Sequence, residues 1–322
     1  METIAIVGAQ KDSGKTTFLN YFIEKNADKK IGISTLGFNR SVSLDNELVK
    51  KPEINVKPGM YVTSIPGFLN RGFVVIDKTD IKTVNGNIFI YKALDNHKVK
   101  IFGPPKSPDL VKIYNFFYNL DLDLFVIDGA LNRKGNLNFD FVDKAFFSIG
   151  GSFDNSIDNL LKIADIFVKL FSIPQLHPMG IELKNSSIFN SDGSLMKEID
   201  LPFLGNEDYY FELISEYNPE YLFIKTSLND ISFDKIIRKL KNKNLTLVLK
   251  NIFRINLSYE NIKKLFYSQI KLNVLKKIDL AGLILNPFAP NGRHIDSFKL
   301  YSEFKNRFGD IPVFDIYRQE IL

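Results

Sequence analysis

The amino-acid sequence predicts an α/β fold, a mostly parallel sheet covered by helices as a three-layer sandwich, with a β-rich insertion. Three observations carry that expectation. Short apolar runs rich in β-branched residues alternate with helical stretches along most of the chain, the pattern of strands joined by crossover helices. The run Ile4-Ala5-Ile6-Val7 is followed at once by a glycine-containing loop and an apolar helix. Between about Leu48 and Gly103 the alternation gives way to β-like segments divided by turn signals.

Taken in order, residues 4–7 read as a buried strand, 16–25 as the helix behind it and 30–36 as a second strand. Within the β-rich stretch, residues 59–63, 73–76 and 87–91 are β-like, and Asn85-Gly86 is a hairpin turn signal. Ser107-Pro108 starts a helix, with Ser107 placed to cap the first amides and Pro108 suited to the first helical position. Residues 125–127 and 145–149 look like further central strands, and residues 156–171 like a long helix. Ile188-Phe189 and Leu195-Met196 flank a turn at Asp192-Gly193. Strands follow at 221–225, 245–249, 281–285 and 311–316. No linker rich in Ser, Gly or Pro divides the chain. The expected organisation is one elaborated domain over 1–322, with the insertion at about 48–103 and a second α/β half at about 172–322.

Bulk properties narrow the chemistry. With 322 residues, 45% of them hydrophobic, the chain buries a full core without staples. It has no cysteine, which excludes structural disulfides and thiolate metal sites. Met1-Glu2-Thr3-Ile4 lacks the basic and apolar regions of a signal peptide. The most apolar tract, residues 163–171, is broken by Asp165 and Lys169 and falls short of the roughly 20 residues that span a bilayer. A cytoplasmic protein without membrane contact is expected. The net charge of +5 comes from lysines scattered along the chain, with no basic arm beside stacking aromatics, so no nucleic-acid partner is expected. His97, His177 and His294 lack metal-ligand spacing, and neither a Gly-x-Ser-x-Gly elbow nor a cysteine nucleophile exists.

The strongest chemical signal runs from Ile4 through Gly8, Lys11, Asp12, Ser13, Gly14, Lys15, Thr16 and Thr17. A strand delivers the loop, glycine lets the backbone curl around phosphate oxygens, and the helix points free N–H groups and its positive dipole end at the anion. This is the arrangement of a P-loop nucleotide site. Lys15 is placed for the β- and γ-phosphates, the Thr16 hydroxyl for Mg2+ and Thr17 for the α-phosphate. The spacing is irregular, because the usual pattern puts Ala9 in the first glycine slot and Gly8 one residue early. The loop either carries one extra residue or uses Ala9 there. One subclass of such proteins uses a second lysine across a dimer interface, and that position here is Gln10. Lys11 is then either solvated or a phosphate ligand within its own chain, and a homodimer stays open.

Leu122-Asp123-Leu124-Phe125-Val126-Ile127-Asp128-Gly129 ends a buried strand in an aspartate, the Walker B pattern that holds Mg2+ beside a P-loop. The same Asp-Gly also makes an ordinary turn. Lys15 and Asp128 are the candidate catalytic residues, Thr16 and Asp128 the candidate metal ligands. Gly129 to Arg133 reads as a switch segment, with Arg133 either reaching a phosphate or lying on the surface. In Leu285-Asn286-Pro287, Asn286 is placed either to recognise a base by its amide or to form an Asx-Pro turn. Relatives of such sites place an acidic residue after the second strand. Here that strand runs into Asn39, which cannot act as a base, and Asp45 is the nearest carboxylate. Binding is better supported than turnover, and any Mg2+-dependent hydrolysis is expected to be slow without a partner.

Together, the P-loop, the Asp128 strand and the Asn286 segment resemble the P-loop NTPase superclass that contains dethiobiotin synthetase and the molybdopterin-guanine dinucleotide accessory protein. A closer likeness covers residues 7–20, 31–37, 51–59, 100–104 and 124–151. These segments, above all Ile127-Asp128-Gly129-Ala130-Leu131-Asn132-Arg133-Lys134 and Phe147-Ser148-Ile149-Gly150-Gly151, look like the KamB-type reactivase subunit of lysine 5,6-aminomutase. That resemblance implies a chaperone-like accessory factor for an adenosylcobalamin- and pyridoxal-phosphate-dependent enzyme of lysine fermentation. It implies binding of ATP, or GTP, with Mg2+ to promote release of damaged cobalamin, alongside a MutS-like ATPase partner. The chain has no cobalamin-ligating Asp-x-His-x-x-Gly signature of its own. The alternative is a synthetase- or kinase-like enzyme that activates a small substrate with ATP. The enzyme reading expects a compact pocket lined by residues after the second strand and in the β-rich insertion, and the accessory reading an exposed apolar patch there.

Overall fold

The computed structural model describes residues 1–8, 10, 12–36, 53–69, 71–129, 139–176, 183–240, 243–289 and 292–316. Along them run β1 (Glu2–Gly8), α1 (Lys15–Lys25), β2 (Ile31–Thr35), β3 (Ile54–Val56), β4 (Tyr61–Ser64), β5 (Phe73–Thr83), β6 (Gly86–Ala93) and β7 (His97–Val99). Next come α2 (Ser107–Asn119), β8 (Leu124–Asp128), β9 (Lys144–Gly150) and α3 (Ile157–Phe171). Then follow β10 (Ser186–Phe189), β11 (Leu195–Ile199), α4 (Glu207–Tyr217), β12 (Tyr221–Ile224), β13 (Leu228–Asn229) and α5 (Asp230–Leu240). The last elements are β14 (Thr246–Leu249), β15 (Ile255–Asn256), α6 (Tyr259–Tyr267), β16 (Lys271–Val274), β17 (Asp279–Asn286), α7 (Ser297–Arg307) and β18 (Val313–Asp315).

The fold is mixed α/β, with a large mixed sheet of order β18-β17-β9-β1-β8-β2-β4-β6-β5. From β18 to β4 every pairing is parallel, and β6 and β5 close one edge antiparallel. The chain divides into two compact units. One comprises Met1–Arg133, Phe141–Lys162 and Asp279–Leu322, and the other Lys134–Asp140 and Ile163–Ile278.

In the first unit the apolar runs of β1 and β8 are buried on both faces, as parallel strands covered on both sides must be. Ile4, Ile6, Leu124 and Val126 pack with Phe18, Leu19 and Ile23 of α1. Phe125 alternates to the other face. There its ring meets Phe117 of α2 edge-on, with centroids 5.1 Å apart. Each such fully buried side chain contributes roughly 1.5–3 kcal/mol.

The β-rich stretch is continuous with this sheet through β4, β6 and β5, while β3 and β7 form a separate two-stranded ladder. The hairpin turn falls at Val84-Asn85, and Gly86 takes the left-handed φ of 118°. At α2 the cap differs from the expectation. Lys106 is the N-cap, in an extended conformation without a side-chain cap, and Ser107 lies one position inside the helix with Pro108 in its first turn.

In the second unit the sheet order is β11-β10-β12-β14-β16. β12, β14 and β16 are parallel, and the expected hairpin of β10 and β11 is present, its turn carrying Gly193 at φ 81°. Phe203, Tyr210, Phe233 and Leu247 are fully buried in its core. The segment expected as a second α/β half does not stay together, because β17 and β18 add to the far edge of the first sheet. Among the described residues no helix is long and apolar enough to cross a membrane.

Candidate functional site

In an open parallel sheet, ligands bind beyond the carboxyl ends of the strands, where consecutive connections leave in opposite directions. In the first unit that point is β1. The chain leaves β1 for β2 on one side, and passes from β8 across β1 to β9 on the other. The loop after β1 sits at this switch point, with Gly8 in register with Ser148 of β9 and Ile6 with Asp128 of β8.

The loop's shape depends on its glycines. A Cβ on Gly8 would collide with the Ser13 hydroxyl and lie 3.0 Å from the Lys15 ammonium, so the loop folds back over the strand end only because that position is bare. Gly14 is the N-cap of α1 with φ 89° and ψ 10°. A Cβ there would collide with the Ile316 side chain and lie 3.3 Å from Asn286 Cβ. Asp12 also has a left-handed φ, 58°. The N-cap Gly14 has no side chain to cap α1, and the first turn holds no acidic residue, so the N-terminal amides and dipole meet no competing carboxylate of the helix.

Lys15 Nζ curls over this loop, donating to Gln10 O and to Ser13 Oγ at 2.9 Å each. Thr16 Oγ1 stands 3.5 Å from Asp128 Oδ2. Asp128 is itself fixed at the end of β8, where its carbonyl accepts from Thr35 Oγ1 at 2.8 Å. Two oxygens bound to one Mg2+ at about 2.0–2.1 Å sit about 2.9 Å apart when adjacent and about 4.2 Å when opposite. The Thr16–Asp128 separation of 3.5 Å would shorten to about 2.9 Å for the two to be adjacent ligands, and both groups are the hard oxygen donors such an ion selects.

The structure therefore brings Gly8, Ser13, Gly14, Lys15, Thr16 and Asp128 to one place. Thr17 lies on the next face of α1 and lines a cavity of about 350 Å³ with Phe18, Asn20, Tyr21, Asn55 and Asp315. Burial pushes the Tyr21 phenol above its ordinary pKa. Lys11, Ala9, Asn39, Asp45 and residues 130–138, including Arg133, lie outside the described residues.

At Asn286 the structure shows the turn, together with a contact to the loop. Its Nδ2 donates to Asp12 O at 2.9 Å, and its Oδ1 accepts from Phe288 N at 3.1 Å. Both ends of the amide are engaged, one in the Asx turn and the other on the loop. One N–H and one oxygen lone pair of the amide remain beyond these two bonds, in a side chain that is 8% exposed.

Sequence reasoning assigned no role to Ser148, whose Oγ donates to Ser13 O from the fully buried centre of β9. The available signal was a hydroxyl interrupting the apolar run Ala145-Phe146-Phe147-Ser148-Ile149. Thr35 and Asp315 were missed as well, each a polar residue closing an apolar strand beside the site. No family model, curated protein or solved structure matches the chain.

Proposed function

We propose that the chain is a P-loop protein of the three-layer type that binds ATP with Mg2+ after β1. We further propose that it acts as an accessory factor in reactivating an adenosylcobalamin-dependent aminomutase such as lysine 5,6-aminomutase, alongside a MutS-like ATPase. One observation carries the nucleotide part of this reading. The α1 N-terminus, the curled loop and the Thr16–Asp128 pair converge at the carboxyl ends of adjacent parallel strands.

In this reading the loop amides hold the phosphates and Lys15 leaves Gln10 O and Ser13 Oγ to meet them. Thr16 and Asp128 would hold Mg2+, which supplies charge neutralisation at the β- and γ-phosphate oxygens. Thr17 leads from the phosphates into the cavity beside α1, whose volume of about 350 Å³ falls in the range of small-ligand sites. A ribose and base fit there by size and by its mixture of aromatic and polar walls.

The accessory role rests on the resemblance and on one feature of the β-rich stretch. Val74, Val75 and Ile76 are exposed in succession on edge strand β5, and Leu94 beside them is exposed as well. Among the described residues the cavity takes only Asn55 from this stretch, with its other walls from α1 and the β18 end. That distribution favours a partner surface over a compact substrate pocket. Nucleotide binding that closes the loop would shift a bound partner's conformational balance only through differential affinity for its two states.

The test is calorimetric titration of ATP with and without Mg2+, followed by co-precipitation with the purified aminomutase in each nucleotide state. Mg2+-dependent binding and nucleotide-dependent capture are expected. No ATP binding under any condition would overturn the nucleotide reading. Binding without nucleotide-dependent capture would leave the synthetase- or kinase-like reading in place of the accessory one.

A further inference from the structure

Two side chains from neighbouring strands grip consecutive carbonyls of the loop after β1. Asn286, at the end of β17, donates from Nδ2 to Asp12 O at 2.9 Å. Ser148, in β9, donates from Oγ to Ser13 O. The donors lie 274 and 135 positions away in the chain. Both are buried, so these bonds form in a low-dielectric setting where an unmade bond would be costly.

The peptide geometry gives this grip a consequence. In a planar trans peptide the N–H points opposite to the C=O. No cis peptide occurs among the described residues. Drawing Asp12 O toward Asn286 therefore turns the Ser13 N–H to the opposite side, and drawing Ser13 O toward Ser148 does the same for the Gly14 N–H. Left-handed conformations at Asp12 and Gly14, φ 58° and 89°, bracket the two peptides. Successive N–H groups beside such residues form an anion-binding concavity.

We infer that Ser148 and Asn286 are positioning residues that aim the Ser13 and Gly14 amides at the phosphate position by anchoring the carbonyls behind them. The inference rests on the nucleotide reading above and adds to it the residues that set the loop's polarity. Neither side chain touches the nucleotide. Each acts through the backbone, so its loss weakens binding of the phosphates and leaves the nucleoside contacts intact.

The experiment titrates wild type, Ser148→Ala and Asn286→Ala with Mg2+-ATP, Mg2+-pyrophosphate and adenosine, with urea unfolding midpoints as the folding control. The expected result is a loss of about tenfold or more in affinity for ATP and pyrophosphate in each variant, with adenosine affinity unchanged. A merely structural role would weaken all three probes together and overturn the inference. So would folded variants that bind ATP as tightly as wild type. On the wild-type protein, the Ser13 and Gly14 amide resonances are expected to move downfield on adding Mg2+-ADP, a readout independent of how the variants fold. If ADP binds and these resonances stay still, the inference falls alone. If wild type binds no nucleotide, the nucleotide reading falls and takes the inference with it.

Discussion

Thr16 Oγ1 and Asp128 Oδ2 lie 3.5 Å apart, although 112 positions separate the two residues in the chain. The parallel pairing of β1 with β8 creates this proximity, since it sets Asp128 beside Ile6, just before the loop. Thr16 supplies a neutral oxygen and Asp128 a charged one. Asp128→Asn keeps the shape and removes the charge. Its expected effect is to cut the gain in ATP affinity produced by Mg2+ by tenfold or more, with Mg2+-free binding little changed. Titrations in Mg2+ and in chelator check this, and an undiminished Mg2+ gain would show that Asp128 is an ordinary turn residue.

Gly14 combines a φ of 89° with the absence of room for a Cβ against Ile316 and Asn286. Gly14→Ala is expected to cost about 1–3 kcal/mol of stability through backbone strain alone. Because Asn286 also holds Asp12, the displaced loop loses its phosphate geometry, and ATP binding should fall below detection. Urea unfolding and calorimetry measure the two effects. A variant with wild-type stability and affinity would contradict the packing described at this position.

Glu207 makes the second unit sensitive to acid. Burial opposes its ionisation, but donors from its own backbone N–H, Ser232 Oγ, Lys235 Nζ and the Gly205 N–H outweigh that and hold its pKa at about 2. The bonds to Ser232 and Lys235 are 2.8 and 3.0 Å long. A pKa lowered in the folded state contributes stability that is present above the ordinary carboxylate value and is lost as pH falls toward 2. Glu207→Gln is therefore expected to destabilise the unit by on the order of 1–3 kcal/mol at pH 7 and by little near pH 2. Urea unfolding of wild type and variant across this range checks it, and a difference independent of pH would contradict it.

Much of this was legible from local sequence. The β1 strand, the loop and α1 follow one another within residues 2–25, where strand propensity, glycine and helix periodicity act over a few residues. Asp128 was legible because a carboxylate closing an apolar strand is a local pattern. The partners of the loop carbonyls were not. Ser148 and Asn286 meet Asp12 and Ser13 only once β9 and β17 take their places in the sheet, and nothing within either strand says which neighbours it will have. For the same reason β17 and β18 could be recognised as strands but not as the far edge of the first sheet. The Asx turn at Asn286 was legible from the Asn-Pro pair, but its second bond, to the loop, was not.

The most direct measurement is the affinity of wild type and Lys15→Ala for Mg2+-ATP by calorimetry, with urea unfolding as control. Lys15 Nζ now rests on Gln10 O and Ser13 Oγ, a half-exposed position from which it can swing to a phosphate. The expected result is clear binding by wild type and at least a tenfold loss in the variant, with little change in unfolding midpoint. Equal affinity in the two proteins, or no binding by wild type, would contradict a phosphate site at Gly14-Lys15-Thr16-Thr17.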